Sequence, residues 1–216
     1  MVESLHIGVL ALQGAFREHR LMLEKCGAKV TEIRRPLGDS PWAGLESFDG
    51  LVLPGGESTT MGRLLVEEKL LEPLRACGLA GMPVYGSCAG LILLCREVEG
   101  PDGDSLDQPR LGLLDARVRR NAFGRQVDSF ETRLDVGGVA GDVEAVFIRA
   151  PLIVSCGPEV EVLSRVEGPL GLSPVAVRQN GILATSFHPE LTSDKRFHEF
   201  FLHICRSWRS AGGRCA

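Results

Sequence analysis

The chain has no long apolar run and no strong excess of either charge. Of its 216 residues 44% are hydrophobic, but no apolar stretch reaches the ~20 residues of a membrane-spanning helix. The net charge is −4 with scattered Lys and Arg, which indicates no surface for nucleic acid. An apolar strand pattern, Leu5 to Leu12, begins almost at once, without the features of a signal peptide. We expect one globular domain, residues 1–216, with a disordered tail at Ser210–Ala216.

Paired cysteine spacing is also missing. The seven cysteines are irregularly spaced, their number is odd, and no Cys-x-x-Cys occurs. This pattern argues against a disulfide framework and against a structural zinc site. It favours a reducing cytoplasm, with most of the cysteines packed as small apolar side chains. Only Cys88 lies in a sequence motif that is typical of a reactive cysteine.

Cys88 stands in a strand–turn–helix pattern. A short apolar run from Met82 predicts a buried parallel strand, and Leu91 to Cys95 are helix formers. Between them, Gly86 to Gly90 reads Gly-x-Cys-x-Gly, the form of a nucleophile elbow with cysteine in place of serine. Such a turn is strained and leaves no room for side chains beside the nucleophile, and the helix N-terminus favours a thiolate. The alternative is a buried structural cysteine in a glycine-bounded turn.

A second glycine turn follows the predicted strand Phe48–Leu53. The segment Pro54 to Thr60 contains Gly55-Gly56-Glu57-Ser58, whose backbone N–H groups could bind an anion or a developing oxyanion. Ser58 or Thr59 would cap a helix that runs towards Cys77. The segment lacks the lysine of a phosphate loop, so it does not indicate a nucleotide site. A plain strand-to-helix turn is the alternative.

The order of the elements predicts an α/β fold. Strands and helices alternate up to the elbow, which indicates a mostly parallel central sheet with helices on both faces. From Leu111 onward, strand patterns at 113–120, 129–135, 143–147, 160–166, 175–178 and 182–187 predict an antiparallel β extension of the same sheet. Ligands of such folds bind beyond the carboxyl ends of the strands, the edge where Gln13, Gly55–Ser58 and Cys88 all fall.

The last predicted strand ends in Ser186-Phe187-His188-Pro189-Glu190. Pro189 prevents the strand from continuing. In extended geometry His188 and Glu190 would point the same way, so that a carboxylate could orient an imidazole. With Cys88 they supply a nucleophile, a base and a group that holds the base, although their order along the chain does not prove proximity. His198 and His203, on a final amphipathic helix at about 193–208, are interpreted as ordinary helix residues.

These motifs resemble those of class I, triad-type glutamine amidotransferases, which implies a flavodoxin-like fold. The similarity is most specific to the glutaminase subunits of pyridoxal 5′-phosphate synthases and extends to about Trp208. Asn121 begins the highly specific run Asn-x-Phe-Gly-Arg-Gln-Val-Asp-Ser-Phe, and Ile92 replaces the Gln of most related elbows. The matching stretches are Gly8–Gly14, Pro54–Met61, Gly86–Ile92, Arg120–Glu131, Phe147–Pro151 and Ser186–Thr192. The segments Pro36–Ser47, Gly100–Gln108 and Ser210–Ala216 depart from the family pattern. None of them is expected to touch the catalytic motifs, although Gly100–Gln108 could alter partner contacts.

The resemblance implies a mechanism. Cys88 would attack the side-chain amide of glutamine, His188 would transfer the proton, and Glu190 would hold the imidazole. The backbone N–H groups of Gly56 and Ala89 would form the oxyanion hole. The implied substrate-binding positions are Gly56, Glu57, Ser58, Arg120, Ile148 and Arg149, and either Arg120 or Arg149 would receive the α-carboxylate. Gln13 would contact an activating partner. The plainer interpretation of the arginines around 119–125 is a charged turn.

The resemblance also implies that ammonia passes to a synthase subunit that makes pyridoxal 5′-phosphate from a pentose phosphate and a triose phosphate. It implies that this chain itself holds no pyridoxal phosphate or other cofactor and needs no metal. The charge and the short apolar runs described above predict that it binds neither nucleic acid nor membrane. Three alternatives stay open: a glutaminase of purine, histidine or tryptophan synthesis, a non-catalytic regulatory protein, and a cysteine peptidase or chaperone-like relative. The Asn121–Glu131 run argues against the first alternative. The intact triad argues against the second, and the Gly-Gly-Glu-Ser loop argues against the third.

Overall fold

The computed structural model describes residues 4–40, 43–120, 129–168 and 171–213. The strands are β1 (His6–Leu10), β2 (Lys29–Ile33), β3 (Gly50–Leu53), β4 (Val84–Ser87), β5 (Cys95–Glu99), β6 (Leu114–Arg119), β7 (Ser129–Leu134), β8 (Val143–Ile148), β9 (Leu152–Cys156), β10 (Glu161–Gly168), β11 (Gly171–Gln179) and β12 (Ile182–Thr185). The helices are α1 (Phe16–Lys25), α2 (Ser58–Glu67), α3 (Leu71–Leu79), α4 (Ala89–Leu94) and α5 (Arg196–Ser210), with 3₁₀ turns at Leu45–Ser47 and Pro189–Leu191.

A seven-stranded sheet in the order β10-β11-β12-β4-β3-β1-β2 forms the centre of the fold. The pairs from β2 to β12 are parallel, whereas β12–β11 and β11–β10 are antiparallel. The predicted parallel sheet with an antiparallel extension is therefore confirmed. The carboxyl ends of β1, β3, β4 and β12 meet at one edge, where the predicted site residues follow them.

The remaining strands lie outside the central sheet. The strands β5, β6 and β9 form a three-stranded sheet, and β7 and β8 form a hairpin. The antiparallel extension thus consists of β10 and β11, whereas the strands predicted at 113–120, 129–135 and 143–147 pair elsewhere. The strands β5 and β9 were not predicted. Cys95 ends α4 and starts β5 with no connecting loop, so the apolar run gave no sign of the change.

Two apolar cores cover the two faces of the central sheet, because neighbouring residues of a strand point to opposite faces. Val52 and Tyr85 pack in the core that includes α1 and α5. Leu53 and Val84 pack in the core that includes α2, α3 and α4. This alternation confirms helices on both faces and leaves the edges of the sheet open for a site.

The single helix predicted from Ser58 or Thr59 towards Cys77 is two helices. Lys69 has a φ of 58°, in the left-handed region. The N–H groups of Lys69 and Leu70 donate to the carbonyl oxygens of Val66 and Leu65, at 3.0 and 2.8 Å. These are the two bonds of a Schellman motif, which ends α2. The sequence hid this end because lysine occupies the position that glycine usually fills.

The end of the chain and the cysteines also differ in detail from expectation. The helix α5 includes Ser210, the first residue of the predicted tail, and the Gly213 N–H donates to the Trp208 carbonyl at 3.1 Å. The free thiols are those of Cys26, Cys88, Cys95, Cys156 and Cys205. Cys77 is disulfide-bonded, and Cys215 lies outside the described residues. Within the described ranges, no helix is both long and apolar enough to span a membrane.

Candidate active site

Cys88 occupies a strained turn between β4 and α4. Its φ and ψ are 50° and −101°, a rare conformation for a residue with a side chain. The Cys88 N–H donates to the Thr185 carbonyl at 2.8 Å, which ties the turn to β12. A Cβ atom on Gly86 would collide with the backbone of Gly90, and one on Gly90 would collide with the Leu53 carbonyl. The elbow and the reason for its glycines are confirmed.

Glu190 lies in a 3₁₀ turn, Pro189–Leu191, and His188 is the residue just before this turn. The pair is therefore not in the extended geometry that was predicted. The turn still brings them together, with His188 Nδ1 2.7 Å from Glu190 Oε1. The His188 N–H donates to the Val146 carbonyl at 2.8 Å. The Cys88 side chain is close enough to the imidazole to raise the pKa of His188. The three residues therefore form one connected group.

The electrostatics of this group favour a charged imidazole. Burial lowers the pKa of His188, but the interactions with Cys88 and Glu190 outweigh burial and raise it to about 10. Burial also raises the pKa of Glu190, but contacts with His19 and His188 hold it well below its usual range. An ionised carboxylate thus supports a protonated imidazole beside the thiol, the arrangement that activates a cysteine.

A pocket of about 360 Å³ opens in front of Cys88, a volume usual for small-molecule sites. Of the predicted site residues, only Ala89 and Glu190 do not line it, and both are buried. The lining residues are Gln13, Gly14, Ala15, Gly55, Gly56, Glu57, Ser58, Cys88, Ile92, Arg120, Ile148, Arg149, His188 and Leu191.

The Gly55-Gly56 turn packs directly against the catalytic histidine candidate. A Cβ atom on Gly55 would overlap the His188 ring, and one on Gly56 would overlap Gln13 Oε1. Neither glycine has a positive φ, so close approach, not turn geometry, requires them. The Gly55 carbonyl accepts from the Ala15 N–H at 2.9 Å, and Gln13 Oε1 accepts from the Glu57 N–H at 2.7 Å. The β1–α1 loop therefore holds this turn.

Glu57, not Ser58 or Thr59, caps α2. Its carboxylate accepts from the N–H groups of Thr59 and Thr60 at 3.1 and 2.7 Å and pairs with Arg120 Nη2 at 2.7 Å. Although burial raises the pKa of Glu57, bonds from Thr60 and Thr59 and the charge of Arg120 lower it to about 2. Ser58 is left with a buried Oγ that has no hydrogen-bond partner among the described residues, so it can serve a ligand.

Arg120 is also held by the loop that departs from the family pattern. Gln108, 5% exposed, accepts from Arg120 Nη1 at 3.1 Å, and Thr59 Oγ1 accepts from the same nitrogen at 2.7 Å. The prediction that the Gly100–Gln108 loop touches no catalytic motif is therefore wrong at Gln108. Sequence gave no signal for this contact, since polar residues near loops are common.

Arg149 differs from Arg120 in having no ion-pair partner within the described ranges. It is exposed, and its φ of 42° places it in the left-handed region, where non-glycine strain often marks function. The preceding Ile148 carbonyl lies 4.0 Å from Cys88 Sγ. The Asn121–Asp128 part of the specific family run, with Arg125, lies outside the described residues.

Three polar residues behind Glu190 were missed from the sequence. His19, Ser87 and His198 are each 0% exposed, and they connect to Glu190 through short contacts described below. His19 lies on the apolar stripe of α1, and a polar residue on such a stripe is a detectable signal. The interpretation of His198 as an ordinary helix residue is wrong, whereas His203 on the same helix is exposed.

The chain is similar in sequence to known proteins over almost its full length. A model described as the SNO glutamine amidotransferase family matches residues 9–207. The chain belongs to this family. A relative from Frankia alni, called pyridoxal 5′-phosphate synthase subunit PdxT, is 59% identical over 209 residues, which cover 96% of this chain and 98% of the relative. A protein of the same name from Pelotomaculum thermopropionicum is 52% identical over 200 residues, covering 92% and 94%.

Solved structures agree with this SNO family membership. A crystal structure described as a glutamine amidotransferase has 46% identity and a TM-score of 0.82, covering 93% of this chain and 98% of that one. The structure of PurLQS from Thermotoga maritima is 15% identical with a TM-score of 0.66 and coverage of 93% and 99%. At that identity only the fold is shared.

Proposed function

We propose that this chain is the glutaminase subunit of a pyridoxal 5′-phosphate synthase. The observation that carries the proposal is the pocket in which Cys88 and His188, backed by Glu190, face the Gly55-Gly56 turn. The names of the relatives from Frankia alni and Pelotomaculum thermopropionicum support the pathway. A cytoplasmic location suits both the reaction and a reactive thiol.

The chemistry needs a thiolate beside an imidazolium. His188, whose pKa is raised, takes the proton of the Cys88 thiol, and the resulting thiolate attacks the side-chain amide carbon of glutamine. The carbon–nitrogen bond breaks as His188 gives its proton to the leaving nitrogen, which departs as ammonia. Water then loses a proton to His188 and attacks the γ-glutamyl thioester, which releases glutamate and restores Cys88. Glu190 keeps the imidazole oriented throughout.

Backbone groups stabilise the oxyanion that forms in both steps. Ala89 is the first residue of α4, and the first N–H groups of a helix have no intrahelical partner. Gly56, in the turn that lines the pocket, supplies a second N–H when the Gly55–Gly56 peptide is oriented towards the oxyanion. Removing one donor from such a hole typically costs about 3–4 kcal/mol of transition-state stabilisation. Two such donors therefore account for a large part of the rate.

Arg149 receives the α-carboxylate of glutamine. The guanidinium of Arg120 is already occupied by Glu57, Thr59 and Gln108, whereas Arg149 lines the pocket with no ion-pair partner in the described part of the chain. A guanidinium fork suits a carboxylate. Ser58 Oγ, buried and unpaired among the described residues, offers a further hydrogen bond. Glu57 and Ile148 complete the lining.

The experiment that tests this function follows the amide nitrogen. The chain is mixed with a pyridoxal 5′-phosphate synthase subunit, a pentose phosphate, a triose phosphate and glutamine carrying ¹⁵N in its amide. We expect ¹⁵N-labelled pyridoxal 5′-phosphate by mass spectrometry, and none with Cys88→Ala. Labelled ammonia without labelled product would place the glutaminase in another pathway. No ammonia from the native chain with its partner would refute glutaminase activity.

A further inference from the structure

A chain of buried polar side chains continues behind the triad. Glu190 Oε1 lies 2.7 Å from His188 Nδ1, 3.3 Å from Ser87 Oγ and 3.4 Å from His19 Nε2. His19 Nε2 is 2.9 Å from Ser87 Oγ, and His19 Nδ1 is 3.0 Å from His198 Nε2. The side chains of His19 and Glu190 are 0% exposed. Strand β4 and helices α1 and α5 thus meet at one carboxylate.

The contacts assign every proton in this chain. Burial lowers the pKa of His198 to about 3, so His198 is neutral at pH 7. Its Nδ1 has no partner among the described residues, and buried N–H groups are almost never left unpaired. The proton of His198 is therefore on Nε2, which donates to His19 Nδ1. His19 then carries its own proton on Nε2 and donates to Ser87, whose hydroxyl donates to Glu190.

All of these donors converge on one oxygen of Glu190. Oε1 accepts from His188 and Ser87 and is in reach of His19 Nε2, whereas Oε2 has no hydrogen-bond partner among the described residues. A carboxylate held through a single oxygen can rotate if its supports are removed. The support of Oε1 therefore decides how constantly Glu190 meets the imidazole of His188.

We propose that His19 is a positioning residue for the glutaminase reaction: through Ser87 it fixes the Glu190 carboxylate, and His198 fixes the tautomer of His19. The inference rests on the proposed glutaminase function. His19 touches neither the pocket nor the reacting atoms, since it is absent from the pocket lining. Its own helix begins at the site, because Ala15, the residue just before α1, lines the pocket.

The test compares two amides at position 19. The amide nitrogen of Gln can occupy the place of Nε2 and donate to Ser87, whereas that of Asn reaches only the place of Nδ1. Glutamine hydrolysis is measured across pH on the complex with the synthase subunit. We expect His19→Asn and His19→Leu to lower kcat about 10- to 100-fold, the loss typical of one hydrogen bond to a buried charge, with KM changed less than about twofold. His19→Gln should retain most of kcat.

The pH profile separates positioning from general packing. The titratable groups facing Glu190 are His188, His19 from α1, Tyr85 from β4 and His198 from α5, and Cys88 faces His188. In His19→Leu, Glu190 loses donors and is protonated more easily, so the acid limb of kcat should move to higher pH. His203→Leu, at an exposed position of α5, is the matched control and should keep both kcat and the acid limb.

A second readout does not depend on glutamine. The rate at which iodoacetamide alkylates Cys88 reports its thiolate, and we expect this rate to fall in His19→Leu below pH 7 and to recover in His19→Gln. Thermal unfolding identifies variants that do not fold. A folded His19→Leu variant with native alkylation and a native acid limb would overturn the inference. So would equal losses in the Gln and Asn variants with an unchanged pH profile. Neither result bears on whether Cys88→Ala is inactive, which tests the function itself.

Discussion

The pocket has two sides that are held in place by different means. The buried wall, defined as Cys88, His188 and Glu190, is at most 8% exposed and is fixed by backbone hydrogen bonds, glycine contacts and the chain behind Glu190. The open rim, defined as Glu57, Arg120 and Arg149, depends on charged side chains, and the Glu57 side chain is 48% exposed. Ion pairs this exposed contribute only about 0–1 kcal/mol each.

This difference in how the two sides are held indicates different roles for the wall and the rim. The wall is positioned before any ligand arrives, which is the condition for stabilising a transition state. The rim can rearrange around a substrate at little cost. Changes in the wall should therefore act on kcat, and changes in the rim should act on KM.

The largest effect is expected from the nucleophile of the wall. Cys88→Ala should abolish ammonia release because no other group in the pocket can form the thioester. Cys95→Ala is the matched control, since Cys95 is a buried thiol whose pKa burial raises and which does not line the pocket. A glutamine-analogue alkylator should label Cys88 and spare Cys95 by peptide mass mapping. Activity above a few per cent of native in Cys88→Ala would reject the nucleophile.

The next effect is expected from the carboxylate of the wall. Glu190→Gln should lower kcat about a hundredfold or more, with KM nearly unchanged, because the imidazole loses its charged partner. Steady-state kinetics with glutamine measures both constants. A matched change in the rim, Glu57→Gln, should instead raise KM and leave kcat nearly unchanged. If Glu190→Gln had the native kcat, Glu190 would have no catalytic role and the catalytic residues would be Cys88 and His188 alone.

The same substitution predicts a change in acid stability. The folded-state pKa of Glu190 lies below its usual 4.5, so the unfolded chain binds this proton first as pH falls. The stabilisation is complete above pH 4.5 and is lost as pH falls below it. Urea unfolding between pH 6 and pH 3 should therefore show a shallower loss of unfolding free energy in Glu190→Gln than in the native chain. Parallel curves would contradict the lowered pKa.

The wall was largely predictable from sequence, and its support was not. Glycine spacing around Cys88 predicts both the strained turn and the parallel strand before it, because these are local steric requirements. The contact between His19 and His198 joins residues 179 positions apart, and no local pattern reports such a pairing. The end of α2 at Lys69 was missed because a lysine holds the left-handed position that glycine usually fills.

Substitutions in the rim should change the KM for glutamine, and the two arginines of the rim should differ in the size of this change. Arg149→Ala should raise the KM for glutamine about 10- to 100-fold, the loss of one charge-assisted contact. Arg120→Ala should have a smaller effect, because Arg120 is already paired with Glu57 and touches substrate less directly. Arg75→Ala, an exposed arginine on α3, is the control. If Arg120→Ala raised KM more than Arg149→Ala, the α-carboxylate assignment would be reversed.

The smallest effect on activity is expected at the Gly55–Gly56 turn, which lies between the wall and the rim and is held by Gln13. We predict that the isolated chain is a poor glutaminase and that its synthase partner raises kcat by favouring the Gly55–Gly56 peptide orientation that presents an N–H to the oxyanion. Turning this peptide would break the bond from Ala15 to the Gly55 carbonyl, which contributes about 0.5–1.5 kcal/mol. A partner that docks on the β1–α1 loop can supply that much through differential affinity.

Gln13→Ala removes the bond to the Glu57 N–H and should reduce the stimulation by the partner about fivefold, a loss of about 1 kcal/mol. The measurement is kcat for glutamine hydrolysis by the chain alone and with excess synthase subunit. Asp102→Asn, at an exposed position of the Gly100–Gln108 loop, is the control, because Gln108 itself contacts Arg120. Equal kcat values with and without partner would refute the switch and leave the glutaminase assignment standing. An equal loss of stimulation in Asp102→Asn would move the docking surface away from Gln13.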